Sequence, residues 1–467
     1  MAAVSLRRAV RMTSVAAGLA CALATPAPAR ASGFAAAEFG GELSNVVTTN
    51  PTALYFNPAG IALGEGTRFY VSGVLALRRA SWTHAQAASE LADPPGAEGA
   101  DTGQARFSNL FGAPALAATT WIRRVAVGGA FYVPFGGRVQ WDQNPRFTND
   151  PSFPLAVDGV QRWHIIEGAV TSFYFTVGAA LRLGPVALGV TGNLVRTSVF
   201  SQQAKSFNPQ LAVDPMNEGR IGIDVSGIHG SFGLGAMVEA VRERLWFGAS
   251  YQAPPGLGPM KLDGTLSTSF GADVAPPRPI TYTHALPDVV RAGVRARLLT
   301  GPRPLELRLY GDLTRWSRLQ SQCVSAQGEP CAVYPDGTDA TPALTTIQNI
   351  RRRWNDTTGA NLGASFWPSA AVELFGGAGF ATAATPDATL DPLMPDANNY
   401  RFAVGGRFAV PGAFHITACL TAVQYVARDN TGRSALSDAE LPTRRPDGGG
   451  KYELWLGLFQ VALEKQL

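Results

Sequence analysis

Three arginines in one alternating stretch are the first residues whose chemistry demands a setting. Arg291, Arg295 and Arg297 alternate with Val290, Ala292, Val294, Ala296 and Leu298, so the guanidiniums share one strand face. A second run follows, with Leu305, Leu307, Leu309 and Leu313 on one face and Glu306, Arg308, Tyr310, Asp312 and Thr314 on the other. A hairpin centred on Gly301-Pro302 sets Arg297 opposite Glu306 and Arg291 opposite Asp312, which makes cross-strand charge pairs. Two uses are open to the arginines: pairing with these carboxylates, or meeting a ligand carboxylate. Neither sign of charge can face hydrocarbon without a cost of several kcal/mol. The charged face should therefore line a wet lumen and the leucine face meet lipid, although in a soluble barrel the leucines would sit in a core.

The other reactive side chains offer less. Cys323 and Cys331 lie in the longest predicted loop, with Gly328-Glu329-Pro330 between them, and are expected to close a disulfide that stiffens it; metal binding is the lesser alternative. Cys419 shares a strand face with His415, but four residues along a strand is about 13 Å, too far to activate a nucleophile. The five histidines carry no metal-ligand spacing. No phosphate-binding glycine loop or serine elbow is present. Gly376-Gly377-Ala378-Gly379 misses the dinucleotide pattern and reads as a strand packed closely on a neighbour. No catalytic site, metal or cofactor is predicted, and the chain is not expected to be an enzyme.

The elements that position these residues repeat one plan. From Thr67 onward, pairs of long β-like segments are joined by short turns near Ile122–Arg124, Leu183–Pro185, Val241–Arg244, Thr300–Arg303, Phe366–Ala370 and Val410–Ala413. Long polar connections at 85–106, 138–162, 201–219, 254–285, 318–355, 385–398 and 429–450 separate the pairs. About fourteen strands result, an even number with short turns at one end and long loops at the other, as in transmembrane barrels. A soluble sandwich has no reason to sort its loops this way. Leu454 to Leu463 is apolar at nearly every position, so its two faces are not assignable from periodicity. Residues 32–66 break the plan, with turns at Asn50-Pro51-Thr52 and Asn57-Pro58-Ala59-Gly60. Their apolar content, including Phe34, Phe39, Leu54, Tyr55, Phe56 and Ile61, predicts a plug within the lumen ahead of a barrel over 67–467.

The first 31 residues read as a signal peptide: Arg7, Arg8 and Arg11, an apolar run to Leu23, and Ala29-Arg30-Ala31 before a cleavage point. Cys21 lacks the aliphatic residue three positions upstream that a lipoprotein needs, since Gly18 stands there. The formal charge of +4 belongs to that leader, because 39 basic residues less its 4 arginines leaves 35, against 35 acidic. No nucleic-acid footprint remains. With 51 glycines, 33 prolines and 16% charged residues, the chain leans toward a turn-rich β protein.

Several motifs, in order across nearly the whole mature chain, resemble the FadL/TodX-type outer-membrane transporters of hydrophobic compounds. They are Ser32-Gly33-Phe34, Asn57-Pro58-Ala59-Gly60, Tyr132-Val133-Pro134-Phe135-Gly136 (similar to the end of that family's third strand) and Trp246-Phe247-Gly248-Ala249-Ser250-Tyr251. Leu286-Pro287-Asp288, Trp316-Ser317, Trp354-Asn355-Asp356-Thr357 and Met394-Pro395-Asp396-Ala397 follow. The resemblance implies an all-β, fourteen-stranded transmembrane antiparallel barrel with an N-terminal hatch that holds Asn57, Pro58 and Ala59. It further implies a monomer in a Gram-negative outer membrane, among lipid and lipopolysaccharide, passing fatty acids or aromatic hydrocarbons through a lateral opening. Phe34 would then either occlude an inner pocket or only anchor the hatch. The rival readings are a nonspecific porin, which needs an open lumen, and an adhesion or structural barrel.

Overall fold

The computed structural model describes residues 40–85, 93–208, 210–271, 273–340 and 345–467. The leader, the predicted start at Ser32, and Phe34 and Phe39 lie outside them. Nineteen strands form one antiparallel sheet. In chain order they are β1 (Arg68–His84), β2 (Gly103–Ile122), β3 (Val125–Gln140), β4 (Glu167–Leu183), β5 (Val186–Ser206), β6 (Glu218–Val241) and β7 (Leu245–Gln252). Then come β8 (Met260–Phe270), β9 (Asp273–His284), β10 (Val289–Leu299), β11 (Leu305–Thr314), β12 (Ser321–Ala326) and β13 (Thr346–Arg351). The last are β14 (Thr357–Ser369), β15 (Val372–Ala381), β16 (Asn399–Val410), β17 (Phe414–Tyr425), β18 (Arg428–Asp429) and β19 (Lys451–Gln466).

Fourteen of these close a barrel: β1 to β7, β10, β11, β14 to β17 and β19. Closure is made by β1 against β19, from Arg68↔Gln466 to Thr83↔Lys451, which leaves no free sheet edge there. Large apolar side chains alternate outward around the wall, with Leu75 53% exposed, Val177 70% and Leu420 58%. A continuous apolar band of this kind is stable against hydrocarbon and not against water. The chain spans the membrane with strands; among the described residues no helix is long and apolar enough to cross one.

The predicted register across the β10–β11 hairpin is the observed one, with Arg297↔Glu306 and Arg291↔Asp312. The final strand, ambiguous in sequence, turns Leu454, Leu456 and Leu458 inward onto Tyr452 and Trp82, and Phe459, Val461 and Leu463 outward.

Three expectations need correction. The connections 254–285 and 318–355 are not polar loops, because they contain β8, β9, β12 and β13. Their prolines (Pro254, Pro255, Pro276, Pro277 and Pro279) hid the strands, since proline lacks the ladder donor. Four neighbouring wall strands in fact break at one level, at 253–259, 285–288, 315–320 and 352–356, and resume as an extension toward the long-loop rim. Tyr132–Gly136 lies in the middle of β3 rather than at its end. The turn expected at Phe366–Ala370 falls later, because β14 runs to Ser369 and β15 begins at Val372.

Residues 40–66 pack inside the barrel as 3-10 turns at Gly41–Leu43 and Pro58–Leu63 and one helical turn, α1 (Ala53–Phe56). Leu54 and Ile61 are buried, a gain of about 1.5–3 kcal/mol for each side chain. The wall admits them through inward-facing glycines. A Cβ on Gly178 would sit 2.8 Å from Leu54, one on Gly189 2.4 Å from the Pro58 main chain, and one on Gly248 2.5 Å from the Val46 carbonyl.

Candidate functional site: the lumen and its side opening

Asn57 explains the Asn-Pro-Ala motif. Its Oδ1 accepts from the Ala59 N–H (3.2 Å), and its Nδ2 donates to the Val46 carbonyl (2.8 Å) and to the Ala236 carbonyl on β6 (3.0 Å). One buried amide thus ties two parts of the inner segment to each other and to the wall. Pro58 opens the following 3-10 turn, where its missing N–H costs nothing, and rests against Gly189 and Gly235. At the far side Glu42 lies over Gly377 of β15, accepts from the Tyr310 hydroxyl (3.3 Å) and pairs with Arg401 (3.7 Å). Gly377 therefore makes room for the inner segment, whereas a Cβ on Gly376 or Gly379 would meet neighbouring wall strands at Ala403 and Asn361.

The three arginines divide. Arg295 (4.0 Å), Arg297 (3.6 Å) and Arg308 (3.3 Å) converge on Glu306, and Arg295 also lies over the Trp246 ring. Their charges hold the barrel interior together. Arg291 behaves differently. It forms no ion pair with Asp312 among the described residues, and its guanidinium stacks 4.5 Å from the Tyr55 ring and 5.5 Å from Phe56. Both aromatic rings come from the inner segment.

Arg291, Asp312, Tyr310, Tyr55, Phe56 and Phe135 line an inner cavity, which holds about 890 Å³ of unfilled space and opens to solvent. A second cavity of about 960 Å³, also open, lies toward the long-loop rim. Its apolar walls mix aliphatic side chains, among them Val170, Val199, Ile221 and Ile350, with the aromatic Tyr282 and Trp354, and its polar groups include Arg78, Gln322 and Asp396. An aromatic partition stands between them. Phe135 meets Trp316 edge-on at 6.1 Å, and Trp316 meets Trp354 at 5.0 Å. Trp316 occupies the break after β11, where the buried Asp288 carboxylate binds Arg315 (3.2 Å) and Arg318, and Asp356 accepts from the Ser317 N–H (2.9 Å). The motifs at 286–288, 316–317 and 354–357 thus build the level at which the wall strands break.

The wall itself is incomplete. β2 and β3 pair only from Ile122↔Val125 to Leu116↔Phe131, although both strands run well beyond. At that point β3 spends one residue more than β4, passing from Tyr132↔Tyr174 to Phe135↔Ser172, with Val133-Pro134 as the bulge. Among the described residues hydrogen bonding across the gap resumes at Asn109, whose side chain bonds the Gln140 main chain (2.9 and 3.0 Å), and at Asp142 N–H to the Arg106 carbonyl (2.8 Å). A side opening in the wall results, beside the inner cavity that Pro134 and Phe135 line. The resemblance implied a lateral opening without placing it; a proline within a strand was the available signal for its position.

Above the outer cavity the loops are locked by Arg352 and Asp391 (3.0 Å), both side chains fully buried, and by the Cys323–Cys331 disulfide. Burial holds His164 down to about 4 and His284 down to about 3, with Arg352 adding to the shift of His284. Both are neutral in the fold, so their contribution to stability is complete above the unfolded value near 6.5 and is lost as pH falls through the folded values. Limited proteolysis is therefore expected to cut the rim loops faster at pH 5 than at pH 7.5; equal rates would contradict this. Cys419 is buried on β17. Among the described residues no group of three or more His, Cys, Asp or Glu could hold a metal ion.

No protein-family model matches the chain, and no curated protein matches it in sequence. Solved structures do. A Pseudomonas aeruginosa FadL homologue superposes with a TM-score of 0.72 at 17% identity, covering 94% of this chain and 98% of that one. The Ralstonia pickettii toluene transporter TbuX gives 0.61 at 14% identity, with coverages of 91% and 99%. The Pseudomonas putida toluene transporter TodX gives 0.61 at 14%, with 90% and 95%. The chain therefore has the FadL-type fold that its motifs resemble.

Proposed function

We propose that this protein is a passive outer-membrane transporter that takes up hydrophobic small molecules, long-chain fatty acids foremost, and releases them sideways into the bilayer. The observation that carries the reading is the interrupted β2–β3 pairing beside an inner cavity that the inner segment helps to line. A polar solute needs a continuous wet pore, whereas an apolar one gains by leaving through the wall into hydrocarbon. In this reading the long loops face outward, ligand enters the outer cavity, passes Trp316 and leaves from the inner cavity. The valines, isoleucines and Leu393 of the outer cavity offer an alkyl chain apolar contact along its length. No energy source is required, because transfer runs down the ligand's gradient.

Residues 32–66 serve as the hatch in this scheme, with Asn57, Pro58 and Ala59 as its anchor. The porin alternative requires an open lumen, and the inner segment opposes it by touching the wall from β3 round to β17. An adhesion role has no observation in its favour. Arg291, set over the two hatch aromatics and lining the inner cavity, is the proposed contact for a ligand carboxylate. Phe34 is retained as the proposed stopper of the inner cavity. Phe34→Ala is expected to change the half-saturating ligand concentration for uptake several-fold at unchanged surface level; an unchanged concentration would leave it an anchor only. The reading as a whole is tested by saturable uptake of labelled oleate in cells lacking their own transporter, paired with conductance in planar bilayers. Steady ionic conductance without oleate uptake would favour the porin.

A further inference from the structure

A third space opens at the long-loop rim, a groove with about 850 Å³ of unfilled volume continuous with solvent. Trp163, Phe207 and Leu441 supply apolar walls, and Lys205, Arg444 and Arg445 bring three cations to it. None of the three forms an ion pair with a carboxylate among the described residues. Asp391, the acidic group that acts on Arg445, is already held by Arg352 at 3.0 Å. Arg445 is 2% exposed, and its other bonds are to neutral acceptors, the Gln203 side chain (2.9 Å) and the His164 carbonyl (3.2 Å). Among the described residues the Arg444 guanidinium bonds only the Gln210 carbonyl (2.9 Å). The Nε of both arginines is buried with no hydrogen-bond partner. Of the three, Arg445 alone is buried, Arg444 being half-buried and Lys205 exposed; a buried guanidinium without a counter-ion of its own is costly, and an anion supplied from outside lowers that cost.

Gln203 and Gln348 line this groove and also the outer cavity, so the two spaces share a wall. We propose that the groove is the docking site for an amphipathic ligand's anionic head group, with Trp163 and Phe207 against its tail. An anion binds a guanidinium more strongly than a neutral amide does, so its arrival at Arg445 frees Gln203 from that bond. The shared wall then loosens at the moment a ligand is captured. The proposal rests on the uptake reading above and adds selection by head-group charge. Lipid A phosphates of the surrounding lipopolysaccharide carry the same chemistry, and the test separates them from a free carboxylate.

The experiment compares wild type with the double variant Lys205→Gln/Arg444→Gln, both charges being partly exposed and removable without unfolding the barrel. Oleate and oleyl alcohol, equal in chain length and different in head group, are the two probes, measured as uptake by cells and as binding to purified protein. The half-saturating oleate concentration is expected to rise about tenfold in the variant, with oleyl alcohol unchanged. Arg445→Lys, which keeps the charge and loses the planar fork, should produce a smaller shift in the same sense. Equal shifts for both probes, or none, would overturn the proposal. So would loss of lipopolysaccharide binding with oleate constants intact, which would assign the groove to lipid phosphate. If wild type imports neither probe the uptake reading fails, yet weaker oleate binding by the purified variant would still support the docking site.

Discussion

Deletion of Pro134 is expected to bring ligand uptake down toward that of cells lacking the protein, with the barrel still assembled. β3 carries one residue more than β4 between Tyr132 and Phe135, and its pairing with β2 ends where that bulge begins. Removing the residue puts Phe135 in step with Ser172, keeps its ring turned inward, and lets β2 and β3 pair toward the rim. An added barrier of about 1.4 kcal/mol slows a step tenfold. Several restored wall hydrogen bonds, at about 0.5–1.5 kcal/mol each, exceed that. Uptake should therefore fall by at least about tenfold. Heat-modifiable gel mobility and surface labelling would establish that the variant barrel is folded and present. Uptake at the wild-type rate from such a barrel would mean that ligand does not leave through this gap.

Gly189→Val is expected to turn a closed barrel into a conducting one. A Cβ at this position would stand 2.4 Å from the Pro58 carbonyl carbon and the Ala59 nitrogen, main-chain atoms that no rotamer change can move aside. Overpacking of this kind costs about 1–3 kcal/mol. The strand is held on both sides along its length, so the inner segment is the part that yields. Its displacement also strains the Asn57 bonds to Val46 and Ala236. Single-channel recording in planar bilayers should then show steady openings that wild type lacks. Gly192→Val on the same strand is the control, since a Cβ there meets nothing within 4 Å. Conductance rising equally in both variants would point to general loosening of β5 rather than displacement of the inner segment.

Much of this fold could be read in the sequence because a barrel wall obeys simple rules. Alternation with a period of two, short turns at one end and charge opposite charge fixed the β10–β11 register to the residue, including Arg297 against Glu306. What the rules missed lies where the wall departs from regularity. Prolines masked β8 and β9, and the bulge at Val133-Pro134 changes pairing without disturbing the pattern of apolar residues. In β19 both faces are apolar, one against lipid and one against Trp82 and Tyr452, so periodicity carried no signal. The motifs at 286–288, 316–317 and 354–357 were visible as a resemblance, but their shared level in the wall exists only once the strands are side by side. The cavities gather residues from many strands, and no local spacing marks them. Arg291 could not be separated from Arg295 and Arg297 in sequence, because the difference is the pair of inner-segment rings, Tyr55 and Phe56, beside it.

The most direct test of the account is uptake of labelled oleate and labelled toluene by cells without a transporter of their own. Cells expressing the wild-type barrel are compared with an empty control at matched outer-membrane composition, with surface levels verified. The account, which proposes fatty acids as the foremost ligands, predicts saturable uptake above the control for oleate and a weaker response for toluene. A folded barrel at the surface that raises the uptake of neither compound would contradict it.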